Sequence, residues 1–183
     1  GLRGFAARWR VRRPEVRVVD PALPRGRVYR AMARMAGSRP GLWLARTVSW
    51  RLDPILLRLT GGRVASSGPL ATALLETRGA RSGAPRRAAV LYFHDGERVT
   101  IIASRAGDTR HPAWFHNAVA PPDVRLGGRP YRAAVVTDDA ERERLWHLAD
   151  AVFPPFADYR RTAGAAGRTI PILQLTATGD DRR

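Results

Sequence analysis

From Gly68 onward the chain breaks into short apolar runs separated by turn-forming residues, and this texture constrains the fold more than any other feature of the sequence. Leu70 to Thr77, Arg87 to Phe93 and Arg98 to Ser104 have strand length, and His94-Asp95-Gly96-Glu97 joins the last two. An Asp-Gly pair between apolar runs signals a hairpin, because both residues tolerate the left-handed backbone of a tight turn. Val124 to Leu126 and Tyr131 to Val136 flank Gly127-Gly128, which reads as a second hairpin, and Ile170 to Thr176 is a last strand. Helices intervene. Pro112 suits the first turn of one that runs towards Val119. Asp138-x-x-Glu141 resembles a capping box at the start of another that runs to Val152, and a short helical turn falls around Phe156 to Arg161. Hairpin-linked strands imply an α+β fold with a mainly antiparallel sheet. Six of them flanked by helices favour a closed or partly closed barrel.

Residues 1–25 contain Pro14, Pro21 and Pro24 among scattered arginines without sustained periodicity, and read as a poorly ordered arm. Arg27 to Ala36 and Leu42 to Leu59 then carry apolar residues at helical spacing, with Gly61 and Gly62 ending the second run. A length of 183 residues suits one main core. The expected division is therefore a basic arm with amphipathic helices over 1–63 and a barrel domain over 64–183. The Arg and Trp content of the helices suits an anionic membrane surface, while covering a hydrophobic flank of the barrel is the simpler alternative. No run approaches the roughly 18 apolar residues of a spanning helix, and arginines interrupt any candidate signal segment. The expectation is a cytoplasmic protein, with peripheral contact at the inner face of the membrane as an open alternative.

The formal charge of +16 points first to a nucleic-acid partner. All 32 basic residues are arginine, however, and Asn117 is the only asparagine, which is the mark of a G+C-rich coding sequence. The excess is also uneven. Residues 1–63 hold 15 Arg against Glu15, Asp20 and Asp53 (15 − 3 = +12), and residues 64–183 hold 17 Arg against 13 acids (17 − 13 = +4). The strand segments lack the aromatic ladder on which single-strand binders stack bases, so no specific nucleic acid is expected. The absence of cysteine removes disulfides, thiolate metal sites and cysteine nucleophiles. His94, His111, His116 and His147 lack metal-ligand spacing, so no metal is expected either.

Two loops stand out. Thr77 to Arg87 places two glycines and four arginines in the turn between two strands, a composition suited to an anionic ligand because glycine lets amides approach and guanidinium offers forked donors. Ala103 to Trp114 leads from a strand through a glycine turn to a helix start, where amides can meet an anion or a ring carbonyl. Together they would define one pocket.

Gly79-x-Arg81-Ser82-Gly83-x-Pro85-Arg86, then Ile102-Ala103-Ser104-Arg105-x-Gly107, then His111-Pro112-x-Trp114-Phe115-x-Asn117 resembles the signature of the F420H2-dependent nitroreductase and quinone reductase family, common in actinobacteria. The resemblance runs over residues 70–176, with Val152 to Tyr159 and Arg168 to Ile172 agreeing later in the chain. It implies a split β-barrel and coenzyme F420, a deazaflavin with a phosphate and an oligoglutamate tail. Arg81, Ser82 and Arg86 would hold that tail, with Ala80 among the cofactor-binding positions beside them and Arg87, Ala88 and Ala89 along the same wall. Ile102, Ala103, Ser104 and Arg105 would meet the phosphate and ring, and Ala113, Trp114, Phe115, His116 and Asn117 the helix edge beside it. The implied reaction is hydride transfer to a small organic acceptor such as a quinone, a nitro compound or an activated alkene. Ser104 would orient ring or acceptor, and Tyr159, with Tyr92, would donate a hydrogen bond on the substrate side. Departures from the family pattern are Ala80, where many members carry a cation, and Phe156, where one member carries a substrate-lining tyrosine. The alternatives are an FMN-binding split barrel and a non-enzymatic binding module for a membrane surface or nucleic acid.

Overall fold

The computed structural model describes residues 16–178. Six strands close into one antiparallel barrel in the order β1-β2-β3-β6-β5-β4. They are β1 (Thr72–Arg78), β2 (Pro85–Asp95), β3 (Arg98–Ile102), β4 (Asp123–Leu126), β5 (Arg129–Val135) and β6 (Ile172–Ala177). Three hairpins are local: β1 with β2, β2 with β3, and β4 with β5. Closure is not local. It requires β6 to insert between β3 and β5, and Leu75 of β1 to pair with Leu126 of β4. Pro85 sits at the first position of β2, where a missing N–H costs no ladder bond. Leu75, Ile101, Leu126, Ile172, Leu173 and Leu175 are fully buried. Each such side chain stabilises the fold by about 2 kcal/mol through apolar burial.

The helices are α1 (Arg27–Gly37), α2 (Arg39–Leu44), α3 (Trp50–Leu59), α4 (Ala113–Val119), α5 (Asp139–Val152) and α6 (Pro155–Ala165). A π-helical turn, Ala45–Ser49, joins α2 to α3. It immediately precedes the stretch where Pro54 removes the N–H that would bond the Trp50 carbonyl. Asp138 caps α5 by accepting from the Glu141 amide at 2.8 Å. The reciprocal half of the capping box does not form, because the Glu141 carboxylate accepts from Arg144 instead. The turn expected around Phe156 to Arg161 is a full helix, α6, started by Pro155 at its first position. No helix of the described residues is long and apolar enough to cross a membrane.

Residues 1–15 of the expected arm lie outside the described residues. Residues 16–20 dock along β2: the Val19 amide donates to His94 Nδ1 at 3.1 Å, the His94 amide donates to the Val19 carbonyl at 2.8 Å, and the Tyr92 hydroxyl donates to the Arg17 carbonyl. A segment without internal periodicity is ordered here by a partner some 75 positions away, which no local pattern records. Helix α1 packs on α5 and α6, with Tyr29 donating to the Val152 carbonyl at 2.7 Å and Gly37 lying against Pro155.

Candidate functional site

The β1–β2 turn is closed by its own backbone, with the Gly79 amide donating to Ala84 and the Gly83 amide to Gly79. Gly83 has a φ of 64°, open to glycine without strain. A Cβ on Gly79 would lie 2.7 Å from Ser82 Oγ and 3.5 Å from Arg86 Nε, so both side chains fold over that glycine. Arg81 and Arg86 are exposed and form no salt bridge among the described residues. Arg87 differs, because its Nε donates to Glu76 at 3.0 Å along the barrel wall. Ala88 and Ala89 are half-buried on β2.

The loop after β3 has an unusual backbone. Ile102 and Ala103 are buried, and then Arg105, Ala106 and Gly107 follow one another in the left-handed region at φ 48°, 51° and 71°. Two such non-glycine residues cost about 1–2 kcal/mol each, so the surroundings must impose the shape. A Cβ on Gly107 would lie 3.1 Å from the Tyr159 Cα, which fixes how closely α6 approaches. The imposing group is Arg168. Its buried guanidinium donates to the carbonyls of Ala103, Ser104 and Asp108 and to His111 Nδ1 at 3.1 Å. Arg46 of the π-helical turn donates to the Ala106 carbonyl at 2.6 Å. The amides of Arg105 and Ala106 have no hydrogen-bond partner among the described residues.

Helix α4 connects the two loops. It follows the β3 loop directly, and Asn117 near its other end accepts from the Ala80 amide at 3.0 Å. Seven helical residues span about 10 Å, which sets the separation. Ala80, Arg81, Ser82, Arg86, Arg105, Ala113 and His116 are exposed at this end, while Ser104, Trp114, Phe115 and Asn117 are half-buried. His111 stacks edge-on or tilted against Phe115 and His116, with centroids 5.1 and 5.9 Å away.

The phenols separate. Tyr159 lies behind the strained loop, 7% exposed, with no hydrogen-bond partner for its hydroxyl among the described residues. Burial pushes that hydroxyl up to about 12, opposed by the charge of Arg46. Phe156, expected on the substrate side, is 2% exposed and packs against Trp146, Phe153 and Tyr159 as part of the core. Tyr92 is also withdrawn from the loops. Burial pushes its hydroxyl up to about 12, and it lines a groove of about 1470 Å³ formed with α3, the start of β1 and the β4–β5 turn. Sequence reasoning assigned no site role to Arg46, His111 or Arg168. In so arginine-rich a chain, nothing local distinguishes a buried guanidinium from a solvated one.

Residues 49–177 match the family described as F420H(2)-dependent quinone reductase. The chain belongs to this family. It is 34% identical over 144 residues to the F420H(2)-dependent quinone reductase Rv1261c of Mycobacterium tuberculosis, covering 73% of this chain and 95% of that protein. It is 37% identical over 112 residues to the putative F420H(2)-dependent quinone reductase Rv3178 of the same organism, covering 58% of this chain and 90% of that one. A solved structure described as a domain-swapped dimer superposes with a TM-score of 0.51 at 26% identity, over 68% of this chain and 96% of that one. The family match begins inside the π-helical turn and takes in the whole barrel, α4 and both loops.

Proposed function

We propose that this quinone reductase family member transfers a hydride between reduced coenzyme F420 and a small organic acceptor, a quinone foremost, at the barrel end that carries the β1–β2 turn and the β3–α4 loop. The observation that carries the reading is the surplus of donors there. Arg81, Arg86 and the amides of Arg105 and Ala106 have no acceptor of their own among the described residues. That is the complement an anionic phosphate and carboxylate tail needs.

When bound, the deazaflavin supplies the hydride, so the chain needs no nucleophile. Arg81, Ser82 and Arg86 grip the tail, and Ala80, Arg87, Ala88 and Ala89 form its wall. Ile102, Ala103, Ser104 and Arg105 line the phosphate and ring side, with Ala113, Trp114, Phe115, His116 and Asn117 along the helix edge. Ser104, whose hydroxyl is uncommitted, orients the reacting partners, and the Tyr159 hydroxyl donates to the oxygen on which negative charge develops. With an upshifted hydroxyl, Tyr159 keeps its proton at neutral pH and so has one to donate in a hydrogen bond.

Titrating the folded protein with F420 and following its fluorescence tests this reading, and a panel of quinones, nitro compounds and unsaturated lactones then ranks acceptors. Saturable micromolar binding is expected. A folded sample that ignores F420 and purifies yellow with FMN would transfer the site to a flavin.

A second reading concerns residues 1–63 as a surface-binding unit. Trp43, Trp50, Ile55 and Leu59 are 64%, 57%, 54% and 78% exposed, and Arg39, Arg46, Arg51 and Arg58 lie among them. Exposed tryptophan and leucine with interleaved cations suit an anionic lipid interface, where a lipophilic acceptor would also reside. Cosedimentation with phosphatidylglycerol vesicles, but not phosphatidylcholine vesicles, is expected, and Trp43→Ser with Trp50→Ser should abolish it. Equal recovery in the supernatant with both lipids would rule the contact out.

A further inference from the structure

Resting on that reading of the site, we propose that Arg168 is the positioning residue of the cofactor pocket: it pins the carbonyl side of the β3–α4 loop and presents His111 to the cofactor as a neutral Nε2–H donor.

The carbonyls of Ala103, Ser104 and Asp108 accept from Arg168, that of Ala106 accepts from Arg46, and that of Arg105 accepts from the Asp108 amide. With the carbonyls engaged on one side, the amides of Arg105 and Ala106 remain as donors. A guanidinium is suited to this work because its planar fork serves several oxygens at once. No carboxylate salt-bridges Arg168 among the described residues, so its charge adds to the field at the loop. Desolvation by burial disfavours that charge, and Asp108 nearby supports it.

The fourth contact fixes a tautomer. Arg168 Nε can only donate, so His111 Nδ1 must accept and the proton of a neutral ring must sit on Nε2. Burial first, then Arg168 and His116, hold the imidazole below its usual range, which keeps the ring neutral at pH 7. The ring is further held by Phe115 and His116 of α4, both on the cofactor side of the proposed site. His111 therefore offers a single fixed donor to a phosphate oxygen or a ring carbonyl. Three positions that lie far apart in sequence, Arg46, His111 and Arg168, thus converge on one strained loop.

The test uses the full chain with Arg168→Met, Arg168→Lys, His111→Phe and His111→Gln. Long-range nitrogen–proton spectra of the wild type should show His111 as the Nε2–H tautomer, and Arg168→Met should release it to a mixture. F420 affinity should fall about tenfold in Arg168→Met and in His111→Phe, the loss of one well-placed hydrogen bond to a charged group. His111→Gln, which keeps an amide donor near the Nε2 position, should restore most of it. The KM for F420 should rise while kcat for the acceptor changes by less than about threefold. Arg168→Lys keeps charge without the fork and should fall between wild type and Arg168→Met. An Nδ1–H tautomer in the wild type, or wild-type F420 affinity in His111→Phe, overturns the proposal even if Arg168→Met fails to fold. Absence of F420 binding by the wild type instead overturns the functional reading, and the tautomer measurement still decides the Arg168–His111 contact.

Discussion

The two ends of β2 use the same residue type in opposite ways. Past Asp95, at the β2–β3 hairpin, Arg144 donates to both Asp95 oxygens and to Glu141, and Gln174 bridges Arg98 to Asp95. At the other end, Arg81 in the β1–β2 turn and Arg86 at the start of β2 have no carboxylate among the described residues. The two ends are about 35 Å apart along an extended strand of 11 residues. Cations balanced within the chain hold elements together, and cations left unbalanced at a loop await an anion from outside. Net charge alone does not separate these cases, but the distribution of counter-ions does.

The sharpest way to break the comparison is to remove the unbalanced pair. Arg81→Ala with Arg86→Ala should weaken F420 binding by about 100-fold, as two charge-assisted hydrogen bonds are lost, with the melting temperature unchanged within about 2 °C. A fluorescence titration alongside a thermal melt checks both. If affinity survives, the turn is merely solvated. Gly107→Ala tests whether the strained loop is as tightly determined as its contacts imply. A Cβ in the left-handed region and against the Tyr159 backbone should cost about 2 kcal/mol, seen as a fall of about 6 °C in melting temperature.

At the other end, Arg144→Ala should cost about 1 kcal/mol at pH 7, because the network is half-exposed, and leave F420 affinity intact. The pH dependence gives a further check. Hydrogen bonding from Arg144 holds the Asp95 and Glu141 carboxyls below their usual range. Carboxyls with depressed folded-state pKa values stabilise the fold above their unfolded values and lose that contribution as pH falls through the folded ones. The gap between wild type and Arg144→Ala, measured by urea unfolding, should therefore close below about pH 4. The smallest effect is expected from Tyr159→Phe, which removes an unpaired hydroxyl. Stability should stay within about 0.5 kcal/mol, and kcat should fall about threefold with F420 affinity unchanged. An unaltered kcat would make Tyr159 a core residue only.

The strands were legible because each is signalled by its neighbours. Gly96-Glu97, just after Asp95, and Gly127-Gly128 form the turns that the apolar runs demanded, and Gly96, Gly127 and Gly128 all carry positive φ. The turn around Arg81 and the loop around Ser104 were legible for the same reason, through contiguous motifs. Their relation to one another was legible only as an expectation, because the Asn117 contact that ties α4 to Ala80 joins positions 37 apart. Phe156 and Tyr92 show the limit most clearly. As aromatic residues near a motif they suit a substrate wall, yet whether an aromatic ring faces a cleft or a core depends on what packs over it.

The amino-acid order by itself determined the local pieces: hairpins from glycine placement, helices from apolar spacing, and family membership from motifs whose residues are adjacent in the chain. The tertiary structure alone decided that β6 enters between β3 and β5, that Val19 completes the edge beside His94, and that Arg168 turns inward on the loop at Ala103 to His111. The reason is physical. Periodicity and turn chemistry act over a few residues, whereas the burial of a guanidinium is decided by carbonyls some 60 positions away that exist as a cluster only once the barrel has closed.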